Sequence, residues 1–250
     1  MGGEQSQPPV RPEPAPPPGP LIGSGRSADV YEAGGGWVLR RYRIPVDAAS
    51  EADVMNHLSA HGYPVPRLRP PGPSPLPPTD LVMRRLSGPT LLAAVQDGNV
   101  GPAAGGALLA SLLHRLHAVP ARIAADPAHR VLHLDLHPDN VMLTSDGPVV
   151  IDWCNSREGP AAWDWAMSAL ILAQAAVLGG PVAAAARAAL TALLGGGAPL
   201  AVLADPDGPA LQEAVRMRTG NPTMSAAEVA AIRGAAALVR ELSVPGRPPV

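Results

Sequence analysis

One change of hydrophobic period governs what this chain can fold into. Up to about residue 86 the apolar residues come in short β-type runs, and beyond Ser87-Gly88 they recur at helical spacing almost to the end. The stretch LIGSGRSADVYEAGGGWVLRRYR, residues 21 to 43, breaks three strand-like runs with glycine clusters, as a meander with tight turns does. Residues 47 to 62, DAASEADVMNHLSAHG, carry Val54 and Leu58 at helical spacing, with Asp47 or Ser50 as candidate caps and Gly62 as a stop. PVPRL and DLVMRRL read as two further strands flanking a Pro-rich loop over 69 to 78. Helices are expected at roughly 90–96, 102–118, 161–178, 183–194, 209–217 and 225–242, interrupted only by two short β-like runs within 131 to 151. This order predicts an α+β, bilobal chain: a small β-rich N-lobe with one helix over 21–86, a larger helical C-lobe over 87–250, and a cleft between them.

Composition narrows the partners. A chain of 250 residues that is 46% hydrophobic can bury a real core, and with no Phe its core must be filled by Leu, Val and Ala. The net charge of -2 offers no basic field for a nucleic acid or an anionic membrane. Residues 1 to 20 hold eight Pro and no apolar run, which predicts a disordered, polyproline-like tail. No residue from Trp165 to Ala186 is charged, but Gln174 and Gly179-Gly180-Pro181 interrupt the run, so two buried helices are expected there rather than a membrane span. The single cysteine, Cys154, excludes an internal disulfide and fits a reducing, cytoplasmic compartment. All 19 basic residues are Arg.

The chemistry concentrates in VLHLDLHPDN, residues 131 to 140, which admits three readings. His133 and His137 could ligate zinc, but their spacing suits a helix, whereas Pro138 and the flanking apolar pattern argue for a loop. An ordinary polar turn would require no particular order of side chains. The order present, His133-x-Asp135-x-x-x-x-Asn140, is the spacing of a phosphoryl-transfer loop, in which the Asp accepts the proton of the attacking hydroxyl and the Asn ligates Mg²⁺. Twelve residues past Asn140 stands Ile151-Asp152-Trp153, after a segment that turns at Ser145-Asp146-Gly147. A hairpin would return Asp152 beside Asn140, forming an oxygen-ligand site for Mg²⁺; the alternative is that Asp152 only caps a turn.

With VLHLDLHPDNVML and VVIDW in place, the chain resembles the aminoglycoside phosphotransferase family of the protein-kinase-like superfamily, over roughly residues 21 to 245. It departs from the family in carrying Leu134 where Gly is usual. The resemblance implies a protein-kinase-like fold, with Gly23 and Gly25 in a Gly-rich loop over the ATP phosphates and Ala28 in place of its last Gly. It places Arg40 at the position of the strand-three Lys, with Glu51 as its partner. It also puts Ile22, Val30 and Val38 above the adenine, Met142 and Ile151 below it, and Met83 to Leu86 at the hinge. Asp164 becomes the carboxylate that anchors the catalytic loop, and His133 a residue that packs and bonds backbone.

The function expected is therefore ATP-dependent phosphoryl transfer to a hydroxyl of a small molecule, with Asp135 as base and Asn140 and Asp152 on Mg²⁺. A nucleotide-binding pseudokinase, suggested by the missing Lys and third Gly, is the alternative; a hydrolase using metal on His133, Asp135 and His137 is remote. Residues 165 to 204 contain no Asp or Glu, and acidic side chains return only at Asp205, Asp207 and Glu213. An aminoglycoside acceptor therefore does not follow from the resemblance.

Overall fold

The computed structural model describes residues 19–44, 46–70 and 76–244, so residues 1–18 of the Pro-rich tail and the centre of the Pro-rich loop lie outside it. The three strands expected over 21 to 43 are β1 (Leu21–Ser24), β2 (Ala28–Glu32) and β3 (Trp37–Tyr42). They pair antiparallel with β4 (Asp80–Arg84) in the order β1-β2-β3-β4. Pairing starts before β1: Gly19 N donates to Glu32 O at 3.0 Å and Glu32 N to Pro20 O at 2.9 Å. Gly19 and Pro20, the last two residues of the segment assigned to the tail, are thus paired with β2. Between β3 and β4 runs α1 (Ala48–Ala60), capped by Asp47, whose carboxylate accepts from Ala49 N at 2.9 Å. Of the two candidate caps, Asp47 is the one used.

PVPRL does not form a strand. Pro64 and Pro66 remove two ladder donors, so the segment touches the sheet only through the Leu68 to Met83 bridge and the bonds of Arg67 and Arg69 with β4. The crossing at residue 88 is sterically fixed. Gly88 has φ 130°, and a Cβ there would lie 1.9 Å from Leu143 O, so only glycine lets the connection pass the later hairpin.

The helical part contains α2 (Leu91–Gln96) and α3 (Pro102–His117) before its β elements, and α4 (Ala161–Leu178), α5 (Ala183–Gly195), α6 (Leu200–Ala204), α7 (Pro209–Thr219) and α8 (Ala226–Ser243) after them. The intervening strands are β5 (His129–Leu132), β6 (Val141–Thr144), β7 (Gly147–Val150) and β8 (Arg157–Pro160). β6 and β7 make the expected hairpin. β8, which pairs with β5, was hidden in the sequence REGP, which has no β-type side chain.

Helix α4 is long and apolar enough to cross a membrane. In the fold it packs against α5, α7 and α8 and buries the run Asp164 to Leu170. Leucines fill the core as expected, with Trp153 the largest fully buried side chain. Where α3 meets α5, a Cβ on Gly106 would lie 2.0 Å from Ala189 O, so the two backbones are in direct contact.

Candidate active site

The loop between β5 and β6 is held from below by Asp164, in the first turn of α4. Its carboxylate accepts from Leu134 N at 2.8 Å, His133 N at 3.0 Å and His117 Nε2 at 3.1 Å, and it is fully buried. Burial alone would raise its pKa, but the His117 hydrogen bond and the neighbouring charges and amides hold it below the usual carboxylate range. His133 packs edge-on against Trp153 at 4.5 Å between ring centroids and donates from Nε2 to Ile151 O at 3.0 Å. Its two ring nitrogens are thereby committed, since Nδ1 accepts from Asp135 N at 3.2 Å. The zinc reading loses this ligand, and no group of three or more His, Cys, Asp or Glu able to hold a metal occurs among the described residues.

Leu134 explains why glycine is usual at its position: its φ is 59°, in the left-handed region. This turn brings Asp135 to the cleft. Asn140 closes the following 3-10 turn (Pro138–Asn140) and donates from Nδ2 to Asp135 O at 2.9 Å, with Asp135 Oδ2 at 3.5 Å and His137 Nε2 at 3.3 Å. Its Oδ1 has no hydrogen-bond partner among the described residues. Desolvation pulls the His137 pKa below 6.5 against the opposing pull of Asp135.

The β6-β7 hairpin returns the chain to this point: Ile151 N donates to Asn140 O at 3.0 Å, and Asp152 follows with φ 65°. Asp152 Oδ1 accepts from Arg40 Nη2 at 2.6 Å and from Cys154 Sγ at 3.0 Å, while Oδ2 has no hydrogen-bond partner among the described residues. Burial opposes its ionisation, yet Arg40 and the Cys154 thiol hold its pKa below 3.8. Amide and carboxylate oxygens with spare lone pairs at the base of one hairpin fit a hard divalent cation such as Mg²⁺.

Arg40 is the hub. Its Nη1 donates to Glu51 Oε1 at 3.0 Å while Nη2 reaches Asp152, so one guanidinium joins β3, α1 and the segment after β7. Burial works against its charge, but Asp152 and Glu51 together raise its pKa above the ordinary arginine value. Glu51 also accepts from Tyr42 Oη at 2.5 Å and Trp153 N at 3.1 Å, so all three surrounding elements meet on this carboxylate. A lysine would have to make both contacts from one nitrogen, whereas the guanidinium makes them from two.

The β1-β2 turn closes with Gly25 N donating to Ala28 O at 2.9 Å, and Arg43 ties it down through Gly25 O, Arg26 O and Asp29. Neither Gly23 nor Gly25 has a positive φ or a crowded Cβ position, so the fold itself does not demand glycine at either. Val38 is buried, Val30, Met142 and Ile151 are partly buried, and Ile22, at the β1 bulge, is 41% exposed.

Sequence reasoning missed a second arginine. Arg218, near the end of α7, reaches Asp135 Oδ1 with Nη1 at 3.4 Å and donates from Nε to Gln174 Oε1 at 2.7 Å. Gln174, the polar residue inside the apolar run of α4, donates in turn to Glu228 O at 2.9 Å. Glu228 forms a capping box with Ser225 on α8 and binds Arg26 of the β1-β2 turn at 3.0 Å. The helical period of α7 was the only local signal for Arg218.

A family model, APH, the phosphotransferase enzyme family, matches residues 19–130 and 119–203. No curated protein matches the chain by sequence. Among solved structures, a choline/ethanolamine kinase family protein from Mesorhizobium loti is similar at TM-score 0.52 and 18% identity, over 90% of this chain and 88% of that one. The amicoumacin kinase hAmiN, bound to AMP-PNP, Ca²⁺ and Ami, gives TM-score 0.55 and 15% identity over 91% and 89%. A thermostable mutant of aminoglycoside phosphotransferase APH(4)-Ia, with AMP-PNP and hygromycin B, gives 0.50 and 15% over 91% and 94%. At these identities the likeness establishes a shared kinase-like fold.

Proposed function

Because this chain belongs to the phosphotransferase enzyme family, we propose that it moves the γ-phosphoryl group of ATP onto a hydroxyl of a small molecule. Residues 21–86 hold the nucleotide and residues 87–250 the acceptor. Asp135 takes the proton as the hydroxyl oxygen forms its bond to Pγ, and the bond from Pγ to the bridging oxygen breaks to release ADP. Asn140 and Asp152 hold Mg²⁺, which when bound would neutralise charge on the phosphate oxygens. Arg40, steadied by Glu51, faces the triphosphate with Gly23 and Gly25. Val30, Val38, Ile22 and Met142 line the adenine.

The observation that carries this reading is the closed base of the β6-β7 hairpin, where Ile151 N meets Asn140 O at 3.0 Å and sets Asp152 next to the loop of Asp135. The nucleotide analogues bound by the amicoumacin kinase and by APH(4)-Ia support it. The test is transfer of labelled phosphate from Mg-ATP to a panel of alcohols. Asp135→Asn is expected to lower kcat by about 10²- to 10⁴-fold while leaving the fold intact. Undiminished transfer by that variant would remove Asp135 from its role.

One observation favours a second reading, nucleotide binding without transfer: Arg40 already engages Asp152 at 2.6 Å. In that case ATP raises the Tm with no turnover on any acceptor, and Mg²⁺ adds nothing to the shift.

A further inference from the structure

We infer that the acceptor is a small alcohol carrying an oxyanion, a carboxylate or a phosphate, recognised by Arg218 and Arg157, and that a polycationic acceptor is excluded. This rests on the phosphotransferase reading and specifies its substrate class. A cavity of about 220 Å³ opens beside Asp135, lined among others by Asn155, Arg157, Met167, Met217 and Arg218. Asp135 is the only carboxylate among its described lining residues, against two guanidinium groups. A polycation entering here would meet net positive charge with no carboxylates to replace its water.

The acidic residues that return after residue 204, Asp205, Asp207 and Glu213, do not line this cavity. Glu213 is gripped by both ends of the Arg216 fork, at 2.7 and 2.5 Å, and Asp205 accepts from Asp207 N at 3.0 Å. Arg218, by contrast, has a side chain only 13% exposed and an Nη2 without a hydrogen-bond partner among the described residues. Among the described residues its one ionic contact is the long bond to Asp135, at 3.4 Å. Its Nε is fixed by Gln174, which aims the guanidinium rather than neutralising it. A partly buried guanidinium with spare donors favours a bidentate oxyanion. An acceptor anchored there presents its hydroxyl to Asp135, and the transfer balances as above: the oxygen gains Pγ, Asp135 gains the proton and ADP leaves.

The test compares γ-phosphate transfer from Mg-ATP to hydroxy acids (glycerate, 4-hydroxybutyrate), to a phosphate ester (glycerol 3-phosphate) and to cations (choline, hygromycin B). Transfer to one of the anionic arms and not to the cations is expected, and the arm that turns over tells carboxylate from phosphate. Arg218→Gln should raise KM for that acceptor at least tenfold with KM for ATP within twofold, and Arg218→Lys should recover part of the loss. Arg157→Gln, at the exposed first residue of β8, supplies a second variant should Arg218→Gln fold poorly. Transfer confined to cationic acceptors, an acceptor KM indifferent to both variants, or neither binding nor transfer of any anionic probe overturns the inference. In each case an ATP-induced Tm shift that Mg²⁺ enlarges leaves the phosphotransferase reading standing, and an ATP shift that Mg²⁺ does not enlarge, or no shift, overturns the reading itself. If Arg218 merely tuned Asp135, kcat and its pH profile would move for every acceptor alike while acceptor KM stayed put.

Discussion

Leu134 allows backbone strain and side-chain packing to be weighed against each other at one position. Its φ is 59°, and its side chain, 5% exposed, belongs to the central apolar cluster. A left-handed backbone costs a residue with a Cβ about 1 to 2 kcal/mol and costs glycine almost nothing. Truncating a buried leucine to alanine costs about 2 to 5 kcal/mol through lost burial and the cavity left behind. Leu134→Ala therefore loses the packing and keeps the strain, whereas Leu134→Gly loses the packing and sheds the strain. Against that relief stands the extra chain entropy of glycine, about 0.5 to 1 kcal/mol. At the centre of both ranges the difference leaves Leu134→Gly more stable than Leu134→Ala by about 0.75 kcal/mol, the reverse of the order at an ordinary position. Equilibrium urea unfolding of the three proteins, with equal m-values, reads this directly. The expected order is wild type, then Leu134→Gly, then Leu134→Ala. An alanine variant as stable as the glycine variant would refute the strain, and a glycine variant above wild type would refute the packing.

Other outcomes follow from the same contacts. Asp164→Asn keeps one accepting oxygen and turns an amide toward donors, and should lose about 3 to 5 kcal/mol in denaturant unfolding along with most of kcat. Asp152 and Asp164 are held below 3.8, and Glu228, bonded by Ser225 and Arg26, is held at about 2 rather than 4.5. Because these folded-state values are depressed, their stabilisation is complete above the unfolded values and is lost as pH falls through the folded ones. A Tm series should decline below about pH 4.5, and a flat profile from there to pH 2 would contradict the shifts. Burial and Asp152 push the Cys154 thiol well above its ordinary pKa, so alkylation by iodoacetamide at pH 7.5 should be far slower than that of a free thiol, and should accelerate in an Asp152→Asn variant that removes the neighbouring negative charge. Gly88→Ala, with its Cβ 1.9 Å from Leu143 O, should cost more than about 3 kcal/mol by the same unfolding assay.

The parts legible in the sequence are those whose signal is local. The three strands of the meander, α1 with its Asp47 cap, and the long helices from α3 to α8 announce themselves by period. The candidate group Asp135, Asn140 and Asp152 is legible by spacing, because a short loop and a two-stranded hairpin bring these segments together without help from distant chain. β8 and α6 were not legible: the first is REGP, which pairs only because β5 offers it an edge, and the second spans Leu200–Ala204, too short to show a period. Arg218 lies 83 residues from Asp135, and its approach depends on how α7 packs on α4. Leu134 stood out in the sequence as a departure from the family, but its reason, a positive φ, is a backbone fact.

The fork of Arg40 also determines how this protein can be found. A side-chain amine at that point of β3 is the handle by which acyl-phosphate nucleotides tag kinases, and this chain has no side-chain amine anywhere. Such reagents would pass over it however tightly it holds ATP. A vicinal dicarbonyl, which condenses with guanidinium, would react first with exposed arginines such as Arg26 and Arg216, and shielding by nucleotide has to be read at Arg40 by peptide mapping.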